Sequence, residues 1–357
     1  VIDFTLGEPH LSHETYSVIK ESLEKRMLSQ HIGYSNFYGV MELRENVANF
    51  CSQQYQQNYD PENEMIITTG CSESLSAVLM SLINPFDEVI ILEPAFSLYQ
   101  SIVTLCGGTV VTYNLHQTNM RLHASKLNEL ISPKTKGIII NSPNNPSGHV
   151  LSEEDLSVIY ECVKDKSIFV ISDEVYRDLV FDNNKYVSIS AFDSLRDQLF
   201  IINGFSKTFA MTGWRVGYVL GPKQYMKKIG IVHQNLVACT STISQYACIE
   251  ALKNTQLTTI MVQYYKRNRD YVYEQLKPYV EDIIYPQGAF YLYFKPLNNQ
   301  QSSLEYCKKL LLDKKVALVP SLAFESEDSG YVRLSYCCDF ETLKEGIIRI
   351  QKFQKII

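Results

Sequence analysis

The sequence predicts an α/β fold: a mostly parallel central sheet with helices on both faces, plus a smaller α/β domain. Three observations predict it. Short runs rich in Ile and Val recur through the middle of the chain, and they are nearly continuous in apolar character. Strands buried on both faces read this way. Amphipathic helical segments separate the runs, and repeated strand–helix–strand order implies parallel pairing. The last quarter changes rhythm to one long helical segment followed by alternating, strand-like stretches.

Strands are expected at 65–69, 88–92, 137–140, 168–172, 199–203 and 216–220. A helix over 73–83 opens straight after Gly70. Another over 152–164 begins with Ser152, Glu153, Glu154 and Asp155. That is an N-cap serine followed by acids that suit the positive end of a helix dipole. A long helix is expected over 264–277, an alternation around 288–293, a helix over 304–313, and strands over 316–319 and 331–335. The expected division is a large domain over 32–263 and a small domain made from 1–31 and 264–357.

Composition narrows the function classes. A chain of 357 residues, 45% of them hydrophobic, can bury a large core. A net charge of −6 and a pI of about 5.7 give no support to nucleic-acid binding. No apolar run approaches the ~18 residues that cross a bilayer, so no membrane partner is expected. Residues 1–10 lack the basic start and apolar middle of a signal peptide. Nine cysteines without any C-x-x-C spacing argue against a disulfide framework or a metal site. The simplest setting is reduced and cytoplasmic.

Ligands of open α/β sheets bind beyond the carboxyl ends of the strands. The residues that follow each expected strand are therefore informative. They are Gly70-Cys71-Ser72, Pro94-Ala95-Phe96, Asn141 through Pro146, Asp173 with Tyr176, and Gly204-Phe205-Ser206-Lys207. Gly70 permits a tight turn into a helix start that favours an anion such as phosphate. Phe96 offers a flat face for stacking. Asp173 can pair with a protonated ring nitrogen. Asn145 and Tyr176 can hydrogen-bond a ring oxygen. Lys207 can form a Schiff base where its charge is disfavoured, and Arg215 adds positive charge nearby. Taken singly, each has a plain structural reading: a helix-entry glycine, a core Phe, an Asn-Asn-Pro turn, a solvated Asp-Glu pair. Their joint order at strand ends has none.

These residues carry a specific likeness. The chain resembles the class I/II aminotransferases, fold-type I enzymes that depend on pyridoxal 5′-phosphate (PLP), over nearly its whole length. The matching segments are Leu6-Gly7-Glu8-Pro9, Tyr34 with Gly39, Thr69-Gly70, and Asn141 through Gly148. Further matches are Ser172-Asp173-Glu174-Val175-Tyr176, the stretch 204–218 with Ser206-Lys207 and Trp214-Arg215, residues 286–291, and Val332-Arg333-Leu334-Ser335. The Ser-Lys to Trp-Arg stretch is the most specific of them.

The resemblance implies that Lys207 carries PLP and moves a proton during catalysis, with Asp173 on the pyridine nitrogen. Asn145 and Tyr176 contact the ring oxygen, and Phe96 stacks on the ring. Gly70, Cys71, Ser72, Ser206 and Arg215 hold the phosphate. Tyr34 reaches the phosphate of a neighbouring subunit, which implies a homodimer with composite sites. Arg333 clamps the substrate α-carboxylate, with Asn145 and Gly7 beside it. The implied reaction moves an amino group from an L-amino acid to a 2-oxo acid by a ping-pong route. A carbon–sulfur β-lyase on the same scaffold and a non-catalytic PLP-sensing domain stay open as alternatives. The chain departs from the family's pattern at Ser72, at Ser147, and at Pro320-Ser321, where Pro-Gly is usual.

For the donor side chain, residues 7–19 and 32–43 contain no Lys or Arg. The resemblance implies that these segments build part of the side-chain wall, and they offer Tyr16, Phe37 and Tyr38, which suit aromatic or other apolar donors; the alternative for Phe37 and Tyr38 is packing at the dimer interface. His233 and residues 264–269 are the alternative sources of a cation.

Overall fold

The computed structural model describes residues 1–9, 17–29, 32–182, 185–254, 256–297 and 302–355. Its main sheet has the strand order Met65–Thr68, Gly217–Leu220, Leu199–Gly204, Phe169–Asp173, Thr135–Asn141, Glu88–Glu93, Thr109–Asn114. Gly217–Leu220 runs antiparallel to both neighbours. The other pairings are parallel.

Both faces of this sheet are dry. Ile90, Ile138, Val170 and Ile201 pack on one side, and Val89, Ile139, Ile171 and Ile202 pack on the other. Successive residues of a strand point to opposite faces, so strands covered twice need continuous apolar runs. The edge strand Thr109–Asn114 escapes that signature. Only its Tyr113 is buried, and its Thr and Asn residues are typical of a half-covered edge.

The helix Glu153–Val163 starts as its sequence requires. Ser152 accepts a hydrogen bond from the Asp155 N–H, and the Asp155 carboxylate accepts one from the Ser152 N–H. Such a capping box contributes about 1 kcal/mol.

The second unit is an antiparallel sheet ordered Val319–Pro320, Val332–Ser335, Tyr291–Pro296, Val280–Ile284. The expected strand over 316–319 is split into Val316–Ala317 and Val319–Pro320. The N-terminal segment joins this unit. Ile2–Asp3 pairs in parallel with Val316–Ala317, and Ser335 N donates to Phe4 O at 2.9 Å. The Phe4 ring is fully buried, and it lies so close to the helix Phe340–Gln354 that a Cβ on Gly346 would meet it at 2.3 Å.

The helix Ser17–Ser29 sides with the main sheet. Its Ile19 and Leu23 share a core with Leu43, Val47 and Ile249, and Arg26 pairs with Glu42 at 2.6 Å. The helix Gln256–Leu276 begins earlier than its charged face suggests and spans both cores, with Leu257 in one and Tyr265 and Val272 in the other.

At Pro320-Ser321 the serine hydroxyl is buried and donates to Asp328 at 2.7 Å. That bond ties the turn that a glycine would make by backbone freedom alone.

Candidate active site

The carboxyl edge of the main sheet, the N-terminal segment and the small sheet enclose a cavity of about 330 Å³. Its lining brings together Gly7, Cys71, Ser72, Phe96, Asn145, Asp173, Tyr176, Ser206, Lys207, Arg215 and Arg333. Those residues span almost the full length of the chain.

Asp173 ends the strand Phe169–Asp173 and is buried. Its carboxylate accepts hydrogen bonds from the Tyr99 hydroxyl at 2.7 Å and from the Val175 N–H at 3.2 Å. Burial nevertheless pushes its pKa up to about 6, because an ion in a poorly solvated site is disfavoured. Asn141, paired with Asp173 across the sheet, ties the strand ends together. It donates to Asp173 O at 3.0 Å and accepts from Asn145 N at 2.9 Å.

Lys207 sits one turn beyond the strand Leu199–Gly204, in the short helix Phe205–Thr208. Its Nζ donates to the Gly7 carbonyl at 2.5 Å. Burial lowers its pKa, and Arg215 adds to the effect. An amine with less tendency to hold a proton is a better nucleophile at neutral pH.

Arg215, at φ +56°, presents its guanidinium to the loop before the helix Cys71–Leu82. A Cβ on Gly70, itself at φ +77°, would lie 2.6 Å from Arg215 Nη2. A Cβ on Gly217 would lie 2.8 Å from the Cys71 nitrogen. Both glycines are therefore required by close approach. Cys71 and Ser72 open that helix, where N–H groups have no intrahelical acceptor. Together with Arg215 and Ser206, which line the same cavity, they have the donors and charge that an anion would need.

Arg333 lies on the small sheet and is buried. Nη1 donates to Asn145 Oδ1 at 2.8 Å and Nη2 donates to the Thr5 carbonyl. The guanidinium is sandwiched between Tyr291, at 4.6 Å, and Phe324, at 4.9 Å. Its Nε has no partner, and among the described residues its hydrogen bonds go to neutral oxygens. A buried cation held only by neutral groups is suited to an anionic ligand. Because Arg333 only donates, the Asn145 oxygen must face it, which leaves the Asn145 amide NH₂ as its donor.

Tyr34 does not line this cavity and is 92% exposed. Tyr16 lies outside the described residues. His233 is buried against Glu73, with Nδ1 at 3.0 Å from Oε2, and does not reach the cavity. Lys266 and Arg269 pair with Asp182. The candidate sources of an extra cation are thus engaged elsewhere.

Sequence reading missed Tyr99, the tying role of Asn141, and Tyr291, whose hydroxyl is 2.9 Å from that of Tyr176. Tyr99 stands three residues after Phe96 at the start of the helix Leu98–Leu105. That spacing was the one signal available.

The chain matches the family model for aminotransferase class I and II over residues 1–350. It is 38% identical to the "Probable N-acetyl-LL-diaminopimelate aminotransferase" of Bacillus subtilis, over 99% of this chain and 89% of that protein. Among solved structures, the aspartate aminotransferase of Thermotoga maritima superimposes with a TM-score of 0.91 at 34% identity, covering 99% of this chain and 92% of that one. The aromatic aminotransferase of Pyrococcus horikoshii gives 0.94 at 32% identity, covering 100% and 96%. Members of the family are known to use PLP, and their substrates are amino acids and oxo acids. No described helix is long and apolar enough to cross a membrane. With its fold, its cavity and its sequence in agreement, the chain belongs to the class I and II aminotransferases and is a transaminase.

Proposed function

We propose that this transaminase uses PLP bound to Lys207 to move an amino group from an L-amino acid to a 2-oxo acid in two half-reactions. The observation that carries the reading is the cavity itself. A buried carboxylate of raised pKa, Asp173, lies in the same cavity as a partly buried amine of lowered pKa, Lys207. The residues present fit the cofactor. The cradle of Cys71, Ser72, Ser206 and Arg215, tightened by Gly70, suits a phosphate. Phe96 supplies a stacking face. Asn145 and Tyr176 supply donors for a ring oxygen. Asp173 pairs with a protonated ring nitrogen, which would offset the cost of its buried charge.

When bound, PLP supplies an electron sink for the bond between Cα and its hydrogen. Arg333 grips the substrate α-carboxylate through its fork of donors, with Gly7 alongside. Lys207 would accept the Cα proton and return it. Tyr34 is assigned to the phosphate of a second subunit, giving a homodimer with composite sites. Its exposure suits that task. We assign residues 32–263 to a large domain and 1–31 with 264–357 to a small one, except that the helix Ser17–Ser29 packs on the large core and goes with it. Nine free thiols suit a reducing, cytoplasmic setting.

The donor is assigned an aromatic or other apolar side chain. Among the described residues, the cations lining the cavity are Lys207, Arg215 and Arg333, and each already has a task. Relatives are named for aspartate, for aromatic amino acids and for N-acetyl-diaminopimelate. The assignment therefore rests on the cavity wall.

The test of the central reading is direct. The purified enzyme should be yellow, and borohydride should bleach the band and link the cofactor to Lys207. Lys207→Ala should lose both the reducible band and turnover. If the variant retains them, another amine carries the cofactor.

A further inference from the structure

Tyr291 opens the strand Tyr291–Pro296 and is buried. Its hydroxyl stands where three parts of the site meet. It lies 2.9 Å from the Tyr176 hydroxyl. A Cβ on Gly7 would lie 1.9 Å from it, so it touches the segment whose carbonyl holds Lys207. Its ring covers the Arg333 guanidinium.

The ring could do its packing without a hydroxyl, since phenylalanine fills nearly the same volume. The hydroxyl is what needs an account. A buried hydroxyl left unpaired is costly, and the partner here is Tyr176. A hydroxyl donates one hydrogen bond and accepts up to two. When Tyr176 donates into the cavity, its oxygen is left to accept from Tyr291. The accepted bond fixes the phenol and polarises its O–H, because linked hydrogen bonds strengthen one another in a poorly solvated interior. Arg333, Asp173, the Cys337 thiol and the buried phenols of Tyr99 and Tyr336 also face the pair.

We propose that Tyr291 is a positioning residue for amino transfer, acting through Tyr176 by holding and polarising its phenol. The proposal rests on the assignment of Tyr176 to the ring oxygen of PLP.

The experiment is a spectrophotometric pH titration of holoenzyme in four forms: wild type, Tyr176→Phe, Tyr291→Phe and the double variant. A donor to the ring oxygen stabilises negative charge there, so weakening it should raise the midpoint of the visible band. Tyr291→Phe should raise it by about half a unit to one unit, the worth of one net hydrogen bond. Tyr176→Phe should raise it further. The double variant should match Tyr176→Phe, because a relay with one exit shows no second effect. In Tyr291→Phe, kcat should fall several-fold with KM little changed. An unmoved midpoint in Tyr291→Phe, or an equal shift with and without the Tyr176 hydroxyl, overturns the proposal. A wild-type band that ignores Tyr176→Phe overturns the assignment of Tyr176 and the proposal with it. Absence of any band overturns the PLP reading itself.

Discussion

The Tyr99 hydroxyl donates a 2.7 Å hydrogen bond to Asp173 Oδ2, and both side chains are buried. Burial disfavours the Asp173 charge, while this bond and the Val175 N–H favour it. Tyr99 therefore helps keep Asp173 ionised. Tyr99→Phe leaves one of those two donors. We predict that kcat falls by about tenfold, the worth of one hydrogen bond to a charged group, while PLP still binds through the phosphate cradle. Steady-state kinetics with a cofactor-binding titration checks this, and undiminished kcat sinks the idea.

Asp173 should also leave a mark on stability. Its folded pKa of about 6 lies above the ordinary value of 3.8. The folded state thus binds more protons than the unfolded state between those values, and the apoenzyme loses stability as pH rises through that window. Above about pH 6 the full cost is present, on the order of 3 kcal/mol. We predict that apo Asp173→Asn melts higher than the apo wild type at neutral pH, and that the gain shrinks as pH falls toward 4. In the holoenzyme the order reverses, and turnover of the variant drops by orders of magnitude. Calorimetry of both forms across pH is the check, and a gain that does not change with pH contradicts the assignment.

Tyr34 is exposed in the single chain and is not part of the cavity lining. We predict that Tyr34→Phe weakens PLP retention severalfold, since a phosphate loses one donor. Mixing it with Lys207→Ala should rebuild one complete site per hybrid dimer and restore part of the retention. Sedimentation of mixed subunits with activity assays tests this, and a fully active monomer rules it out.

The cavity wall predicts donor preference. A side-chain carboxylate without a cationic partner is costly to bury. We predict kcat/KM at least about tenfold higher for phenylalanine, tyrosine, leucine or methionine than for aspartate, which corresponds to ~1.4 kcal/mol. A donor panel with 2-oxoglutarate as acceptor decides it. A clear preference for aspartate would falsify the assignment.

Much of the sheet and the site was legible in the sequence because double burial demands unbroken apolar runs, and the chemistry-bearing residues come directly after those runs. Asp173 at the end of Phe169–Asp173 and Lys207 just beyond Leu199–Gly204 are the clearest cases. What composition could not carry was direction and coverage. The reversed run of Gly217–Leu220 and the half-exposed edge Thr109–Asn114 depend on neighbours, and neighbours are not encoded in a strand's own pattern.

The sequence by itself determined which tools the site has: an amine, a carboxylate, a buried guanidinium, and a glycine-led helix start. Only the tertiary structure decided how they are held. Tyr99 meets Asp173 across 74 residues, Tyr291 meets Tyr176 across 115, and Arg333 meets Asn145 across 188. Hydrogen bonds of that kind depend on distance in space. A buried hydroxyl or guanidinium must find a partner wherever the packed layers bring one, and the local sequence does not record which one that is.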